Sequence, residues 1–440
     1  MTDGRIPPGW RSMTIDELKS DADAAIAIGP FGSRMKANCY VVSGVPVIRG
    51  NNLSDTRSFR GDFVCISEAT ADSMRSSNVF ADDLVFPHRG AIGEVGIVPQ
   101  DGKRYMLSTS LMKLSCNRRL VSPQFLFYFF RSVSGRHELL KYASTVGTPG
   151  IGQPLTSLRS IRVQLPPRAE QDRIADILGS LDDKIELNRR TNETLEATAR
   201  ALFKSWFVDF DPVQAKLEGR QIAGMDKAAA AIFPGSLQDS PLGKIPKGWR
   251  VATMPEVLEI NPVRSLRKGA IAPYLEMSNL PTRLPRAVAW ENRPFGSGTK
   301  FMNGDTLVAR ITPCLENGKT AYVDFLGDGQ VGAGSTEYII LRPKPPLPTT
   351  FAYYLARNED FRQHLITNMT GTSGRQRAPA DSLNSFRIVV PPENLARHFG
   401  EFTANVLAQI KTNDEEAKEL ATARDSLLPR LLSGELSPQS

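Results

Sequence analysis

The chain has 440 residues, of which 41% are hydrophobic and 23% charged, with a formal net charge of +7. That length suits two or more domains, and that composition excludes intrinsic disorder over most of the chain. No apolar run approaches the roughly 18 residues of a membrane span, and residues 1–10 lack the apolar core of a signal peptide. The four cysteines, Cys39, Cys65, Cys116 and Cys314, form no CxxC pair, so a cytoplasmic protein with free thiols and no metal site is expected.

Taken in chain order, the first segment opens with IPPGW (6–10), where Trp10 reads as a core anchor on an entering strand. GPFGS (29–33), PVIRGNNL (46–53) and DLVFPHRGAIGEVGIV (83–98) follow. FLFYFFRS (125–132) predicts a helix buried in its own domain rather than a base-stacking platform. A glycine-rich loop, GTPGIGQ (147–153), precedes SLRSIRVQLPP (157–167), which ends on a double proline. Between 168 and 211 there is no proline, and the one glycine is Gly179. Leu178, Leu181, Ile185, Leu195, Ala199, Leu202 and Trp206, with Asn188 and Asn192 filling the gaps, alternate in steps of three and four. This is the seam of a coiled coil, predicting about 39 helical residues and a rod of roughly 58 Å. Asp209-Phe210-Asp211-Pro212 is expected to stop it, because proline lacks an N–H and restricts the residue before it. The alanine-rich run 226–231 lies in the connector that follows and reads as a short helix.

The second half repeats the first in the same order. IPKGW (245–249), PYLEMSNL (273–280), FAYYLARN (351–358), GTSGRQR (371–377) and SLNSFRIVVPP (382–392) answer the earlier segments, with offsets falling from 239 to about 224. Repeats this long mean duplicated domains, not a solenoid. The seam recurs at Val406, Ile410, Asn413, Ala417, Leu420, Leu427 and Leu431. Asn188 and Asn413 read as register devices, since a buried amide is satisfied best by one arrangement. The first helix leads out of domain one and the second starts where domain two ends, so with a short connector the pair is expected to run antiparallel. The fold class is therefore α+β. Two duplicated globular domains, each with a mixed or antiparallel sheet, are separated by two long helices, with pseudo-two-fold symmetry. The boundaries are 1–165, 166–240, 241–390 and 391–440.

Net charge follows this division, at +6, −3, +7 and −3 for the four segments in turn. Two basic globular parts joined by acidic helices fit a reader of a polyanion, and a doubled reader fits a bipartite DNA site. Chemistry is missing from the sequence. Gly318-Lys319-Thr320 ends like a phosphate-binding loop, but Pro313 stands where its first glycine belongs. No adenine-methyltransferase NPPY or DPPY tetrapeptide and no GxSxG elbow is present. Asp82-Asp83 is placed in a turn and Asp182-Asp183 on a solvated helix face, neither with a catalytic role.

At this point the residues carry a family resemblance. VQLPPRAEQDRIADILGSLDDKIELNRRTNETLEATARALFKSWFVDFDPV (163–213) resembles the first central conserved region of type I restriction–modification specificity subunits. LLPRLLSGEL (427–436) resembles the end of their second such region, and IPPGW and IPKGW resemble the starts of their target recognition domains. The second copy departs from the pattern, with Leu395-Ala396 in place of Glu170-Gln171 and no WFVDFDP ending on its helix. The resemblance implies a non-catalytic DNA-binding subunit that reads two half-sites of an interrupted sequence. Its partners would be double-stranded DNA, two methyltransferase subunits and restriction or translocase subunits, with no membrane. S-adenosylmethionine, ATP and Mg would belong to those partners. The connector after the first helix would be a docking surface for a methyltransferase subunit.

Candidate DNA contacts are chosen by chemistry: arginine, lysine and backbone N–H for phosphates, arginine, asparagine and glutamine for bases. In the first domain they are Arg34, Lys36, Asn51, Asn52, His88, Arg89, Thr148 and Gln153; in the second, Arg264, Arg267, Lys268, Arg310, Lys319, Arg375 and Arg377. A single-chain enzyme and a DNA-binding protein without methyltransferase partners stay open as alternatives.

Overall fold

The structure, a computed structural model, describes residues 7–31, 34–144, 147–221, 225, 227–372 and 374–437. Expectations that touch Ile6, Gly32, Ser33, Asp226 and Ser373 lie outside the described residues. The chain forms two compact units, one of Met1–Asn188 with Glu416–Ser440 and one of Arg189–Glu415. Each division falls inside a long helix rather than at the double prolines, so each unit owns half of each helix. The physical reason is packing: each half-helix buries its apolar stripe with one globular part.

In the first unit the strand Arg11–Thr14 pairs antiparallel with Arg162–Leu165, joining the start of the globular part to the residues just before the long helix. A four-stranded antiparallel sheet runs Ile26–Ile28, Leu111–Leu114, Leu84–Pro87, Gly96–Ile97 in spatial order. A five-stranded mixed sheet contains one parallel pair, Val45–Ile48 with Tyr105–Leu107. The predicted aromatic helix is Pro123–Arg131, with Phe125, Leu126, Phe127, Tyr128 and Phe130 buried in the core. Thr14 caps the short helix Ile15–Leu18 reciprocally with Glu17, satisfying two backbone donors that a helix start leaves orphaned.

The second unit has the same order of parts. Arg250–Thr253 pairs antiparallel with Arg387–Val390. A four-stranded antiparallel sheet runs Leu258–Ile260, Tyr338–Pro343, Thr306–Ala309, Thr320–Tyr322. A second, mixed sheet contains the parallel pair Ile271–Leu275 with Gly332–Gly334. Thr253 and Glu256 repeat the reciprocal cap, and Phe351–Ala356 repeats the buried aromatic helix. Trp249 is buried as expected of an anchor, whereas Trp10 in the first unit is half-buried. The unit also holds the hairpin Leu237–Ser240 with Gly243–Pro246, so a strand begins before the expected boundary at 241.

The two long helices are Arg168–Phe207 and Glu393–Leu432, 40 residues each, or about 60 Å at the α-helical rise. The first ends two residues before the expected stop. Phe210 takes a left-handed conformation (φ 55°), and Pro212 sits in the first turn of a new helix, Asp211–Leu217, where its missing N–H costs nothing. The second ends at Leu432, and Gly434 two residues on takes a left-handed conformation (φ 73°) that favours glycine.

The two helices run in opposite directions within each unit. In the first, Asp182 meets Arg424 and Asn188 meets Glu416. In the second, Asn192 meets Asp414, and the rings of Phe203 and Phe207 meet Phe399. Leu178, Ile185, Asn188, Val406, Ile410 and Asn413 are buried, as a seam requires. Leu181, Leu195, Leu202, Leu420 and Leu427 are only half-buried. Neighbouring Asp182, Glu196, Phe203 and Leu428, with Arg424, take the inner places. The hydrophobicity pattern selected leucines, while the helices turn polar side chains inward where partners exist. Asp182 is therefore not on a solvated face.

Candidate nucleic-acid interface

In the first unit, the segment after Leu84–Pro87 and the glycine-rich loop are stitched together. Ile151 N–H donates to His88 O (3.0 Å), Gly90 N–H to Pro149 O (2.9 Å), and Arg89 bridges Gly150. Arg89, Thr148 and Gln153 are exposed on this patch and His88 is half-buried. Gln153 stands in a left-handed conformation (φ 46°) at the start of the helix Pro154–Ser160. Burial and the neighbouring Arg89 guanidinium hold the His88 imidazole below its ordinary pKa of 6.5, against the pull of the Thr109 carbonyl. It is neutral at physiological pH and offers a hydrogen-bonding edge rather than a charge.

Arg34, Lys36 and Asn51 are also exposed. Asn52 is not: it is fully buried. Its Oδ1 accepts from Arg49 N–H (3.0 Å) and its Nδ2 donates to Arg60 O (2.8 Å). An amide spent this way holds a turn, so Asn52 is corrected from reader to scaffold.

In the second unit the corresponding segment and loop are stitched in the same fashion. Ala378 N–H donates to Arg310 O (2.8 Å), Thr312 N–H to Gln376 O (3.0 Å), and Arg377 bridges both Ile311 and Thr370. Arg310 and Arg377 meet over one carboxylate, Glu337: Arg377 Nε donates a hydrogen bond to it (2.8 Å), and Arg310 Nε lies in ion-pair range at 3.7 Å. Arg375 is exposed beside them. Sequence reasoning missed Glu337, which no charge pattern singles out because it lies 27 residues from Arg310 and 40 from Arg377 in the chain. Arg267 and Lys268 are exposed elsewhere on the unit.

Two expected contacts are committed internally. Arg264 pairs with the fully buried Asp305 (3.1 Å), which Arg342 also neutralises (2.9 Å). Lys319 Nζ donates to Met277 O (2.6 Å) and Ser278 O (3.2 Å). A buried carboxylate needs compensating charge, and supplying it takes Arg264 out of the surface.

Polar groups in the helix seam were also invisible to pattern reading. In the first unit Asp182 accepts from Arg424 (2.7 Å) and from the Tyr128 hydroxyl (2.8 Å). Arg57 donates to Gly179 O (3.2 Å) and Asp183 (2.6 Å). In the second, Asn413 donates to Asn192 (2.8 Å), Asn192 to Asp414 (2.8 Å), and Arg286 joins Asp414 (2.8 Å) to Asp324 (2.5 Å). Tyr353 donates to Glu196 (3.2 Å). Each globular part is thus tied to helix residues by buried hydrogen bonds.

No group of three or more His, Cys, Asp or Glu side chains among the described residues is arranged to hold a metal. No helix among them is long and apolar enough to cross a membrane.

Each unit thus carries a loop-built patch with exposed polar and arginine side chains at the end of a central strand of its sheet, and comparison with known proteins says what such a chain is similar to. The family model described as the type I restriction modification DNA specificity domain matches residues 32–197. The HindI specificity subunit of Haemophilus influenzae is 25% identical over 406 residues, covering 81% of this chain and 86% of its own. The MjaIX specificity subunit of Methanocaldococcus jannaschii is 25% identical over 457 residues, covering 98% of this chain and 95% of its own. Among solved structures, the type I restriction–modification S subunit from M. genitalium spans 100% of this chain and 98% of its own, with a TM-score of 0.52 and 14% identity, a likeness of fold. Residues 32–197 thus match a type I restriction modification DNA specificity domain, and over most of its length the chain is similar to type I restriction–modification specificity subunits.

Proposed function

We propose that the chain is the sequence-reading, non-catalytic subunit of a DNA methyltransferase and restriction complex. Residues 1–165 and 241–390 are two target recognition domains, each reading one half of an interrupted double-stranded site. Residues 166–240 and 391–440 supply an antiparallel pair of helices, which sets the gap between the halves with pseudo-two-fold symmetry. Two methyltransferase subunits carrying S-adenosylmethionine dock on it, one of them against the connector after the first helix. Restriction or translocase subunits add ATP- and Mg-dependent steps. The complex works in the cytoplasm.

The observation that carries this reading is the recurrence of one strand order, one buried aromatic helix and one stitched basic loop in both units, each followed by a 40-residue helix. Two like readers on stiff helices suit two half-sites at a fixed spacing on one face of DNA. Phosphate contacts from arginine and lysine supply salt-dependent affinity, and the loop side chains supply base readout.

Co-purification from the host, followed by gel shifts with and without the methyltransferase subunit, tests the reading. The isolated chain should bind DNA weakly and gain sequence preference in the complex; equal preference in both refutes the scaffolding role. Swapping residues 1–160 for those of another subunit should alter one half-site in the methylome, and alteration of both halves refutes the two-reader arrangement.

A further inference from the structure

The second unit presents two arginines in an unusual way. Glu337 stands on the Nε side of both: it accepts a hydrogen bond from Arg377 Nε (2.8 Å) and lies in ion-pair range of Arg310 Nε (3.7 Å), while Arg377 NH1 also donates to Arg375 O (3.4 Å). A guanidinium has two hydrogen-bonding edges, and a carboxylate on the Nε side leaves the NH1/NH2 fork to face elsewhere. That fork matches the O6 and N7 acceptors of guanine in the major groove. Both side chains are part-exposed, 28% for Arg310 and 42% for Arg377.

The backbone beneath is rigid. Residues 310–312, 376–378 and Thr370 are cross-linked by the bridges Ile311 to Arg377 and Thr370 to Arg377, and by the bonds from Thr312 and Ala378. Arg310 N–H also donates to Glu337 O (3.0 Å), fixing the carboxylate's own backbone to the arginine it serves. Holding a donor fork in place before binding removes the entropy cost of ordering two long side chains at the interface.

The first unit is built differently at the matching place. There His88, Arg89, Thr148 and Gln153 surround the stitched loop, and no carboxylate is paired with Arg89 among the described residues.

Resting on the reading of the chain as a two-part DNA reader, we propose that Glu337 is a positioning residue which presents Arg310 and Arg377 as paired guanine-reading forks, so that the half-site read by residues 241–390 contains guanine at the positions they meet. Glu337 itself touches no base. Its carboxylate repels phosphate and keeps the arginines from collapsing onto the backbone of the duplex.

The test is the host methylome with this chain replaced by full-length variants. Arg377→Ala should relax one guanine position, lowering the preference over other bases roughly 5- to 150-fold. Arg377→Lys keeps the charge without the fork and should relax the same position. Glu337→Gln should weaken preference at both guanine positions while methylation continues, a loosening of motif that simple misfolding does not give. The effects should be confined to the half-site that survives the swap of residues 1–160. An unchanged motif in Arg377→Lys, relaxation in both halves, or a second half-site without guanine overturns the proposal. Outright loss of methylation in Arg377→Ala leaves Arg377→Lys to decide. A wild-type chain on which no methylated motif depends overturns the underlying reading instead.

Discussion

Replacing Arg424 by alanine should cost the first unit more than any surface substitution. The Arg424 and Asp182 side chains are 3% and 1% exposed and lie 2.7 Å apart. Arg424 also donates to Asp55 O (2.8 Å), tying a loop of the globular part to the second helix. Removing one partner of such a pair strands the other charge in a poorly solvated place, at about 3–5 kcal/mol. For a unit of this size that is roughly 6–20 °C in the unfolding midpoint. Replacing both, as Asp182→Leu with Arg424→Met, removes the stranded charge and should lie within about 1.5 kcal/mol of the wild type, because buried pairs seldom outperform apolar packing. Burial raises the Asp182 carboxyl above its ordinary value of 3.8, with Arg424 and the Tyr128 hydroxyl pulling it back. Without Arg424 it should rise further. A carboxyl whose folded pKa lies above its unfolded one gives stability that is complete below the unfolded value and lost as pH rises through the folded one, so the deficit of Arg424→Ala should grow with pH. Urea unfolding of the full chain at several pH values measures it. A cost under about 1 kcal/mol at neutral pH, or a double variant as damaged as the single, would refute the argument.

Other expectations follow from the same geometry. With the first loop patch on DNA, Arg89→Gln should reduce the slope of log K against log salt by about 0.9, while His88→Gln should leave it unchanged because the half-buried imidazole is held below its ordinary pKa; gel shifts over a salt series distinguish them. Asn52→Ala should lower stability by about 1–3 kcal/mol through unpaired buried groups without altering the methylated sequence, which unfolding curves and the methylome check together. Glu17 and Glu256, each held by the backbone N–H and then the hydroxyl of Thr14 or Thr253, should titrate below the ordinary 4.5. Their stabilising effect should be complete above that pH and fade as pH falls through the folded values, whereas buried Asp83, raised by desolvation, should titrate above 3.8; carboxyl-resolved NMR titration reads all three.

Much of this fold was legible because repetition and periodicity are properties of the chain itself. The double prolines at 166–167 and 391–392 precede helices that begin at Arg168 and Glu393, and the aromatic strings at 125–130 and 351–354 are buried helices in both units. The pattern of leucines misplaced the seam by one position at Leu181 and Leu195, because hydrophobicity cannot say that Asp182 will find Arg424 some 242 residues later or that Glu196 will find Tyr353 some 157 residues later. The geometry of the candidate loops was half legible. Arginines and glycine-rich loops announced themselves, but which arginine faces a buried carboxylate depends on sheet register. Arg264 and Arg377 look alike in sequence, yet one neutralises Asp305 inside the unit and the other is oriented by Glu337 at its surface.

The polar seam groups also explain how two long helices with modest apolar stripes choose one register. Apolar side chains tolerate sliding by a turn, since leucine meets leucine nearly as well after the slip. A buried charge or amide does not, because every misplaced donor forfeits its partner in a place water does not reach. In the first unit a one-turn slip would take Asp182 off Arg424 and Asn188 off Glu416. In the second it would take Asn192 off Asn413 and Asp414 off Arg286. Each unit alone thus specifies the alignment of its helix segments. Polar groups at inner positions therefore fix alignment where leucine would pack as well without choosing a register.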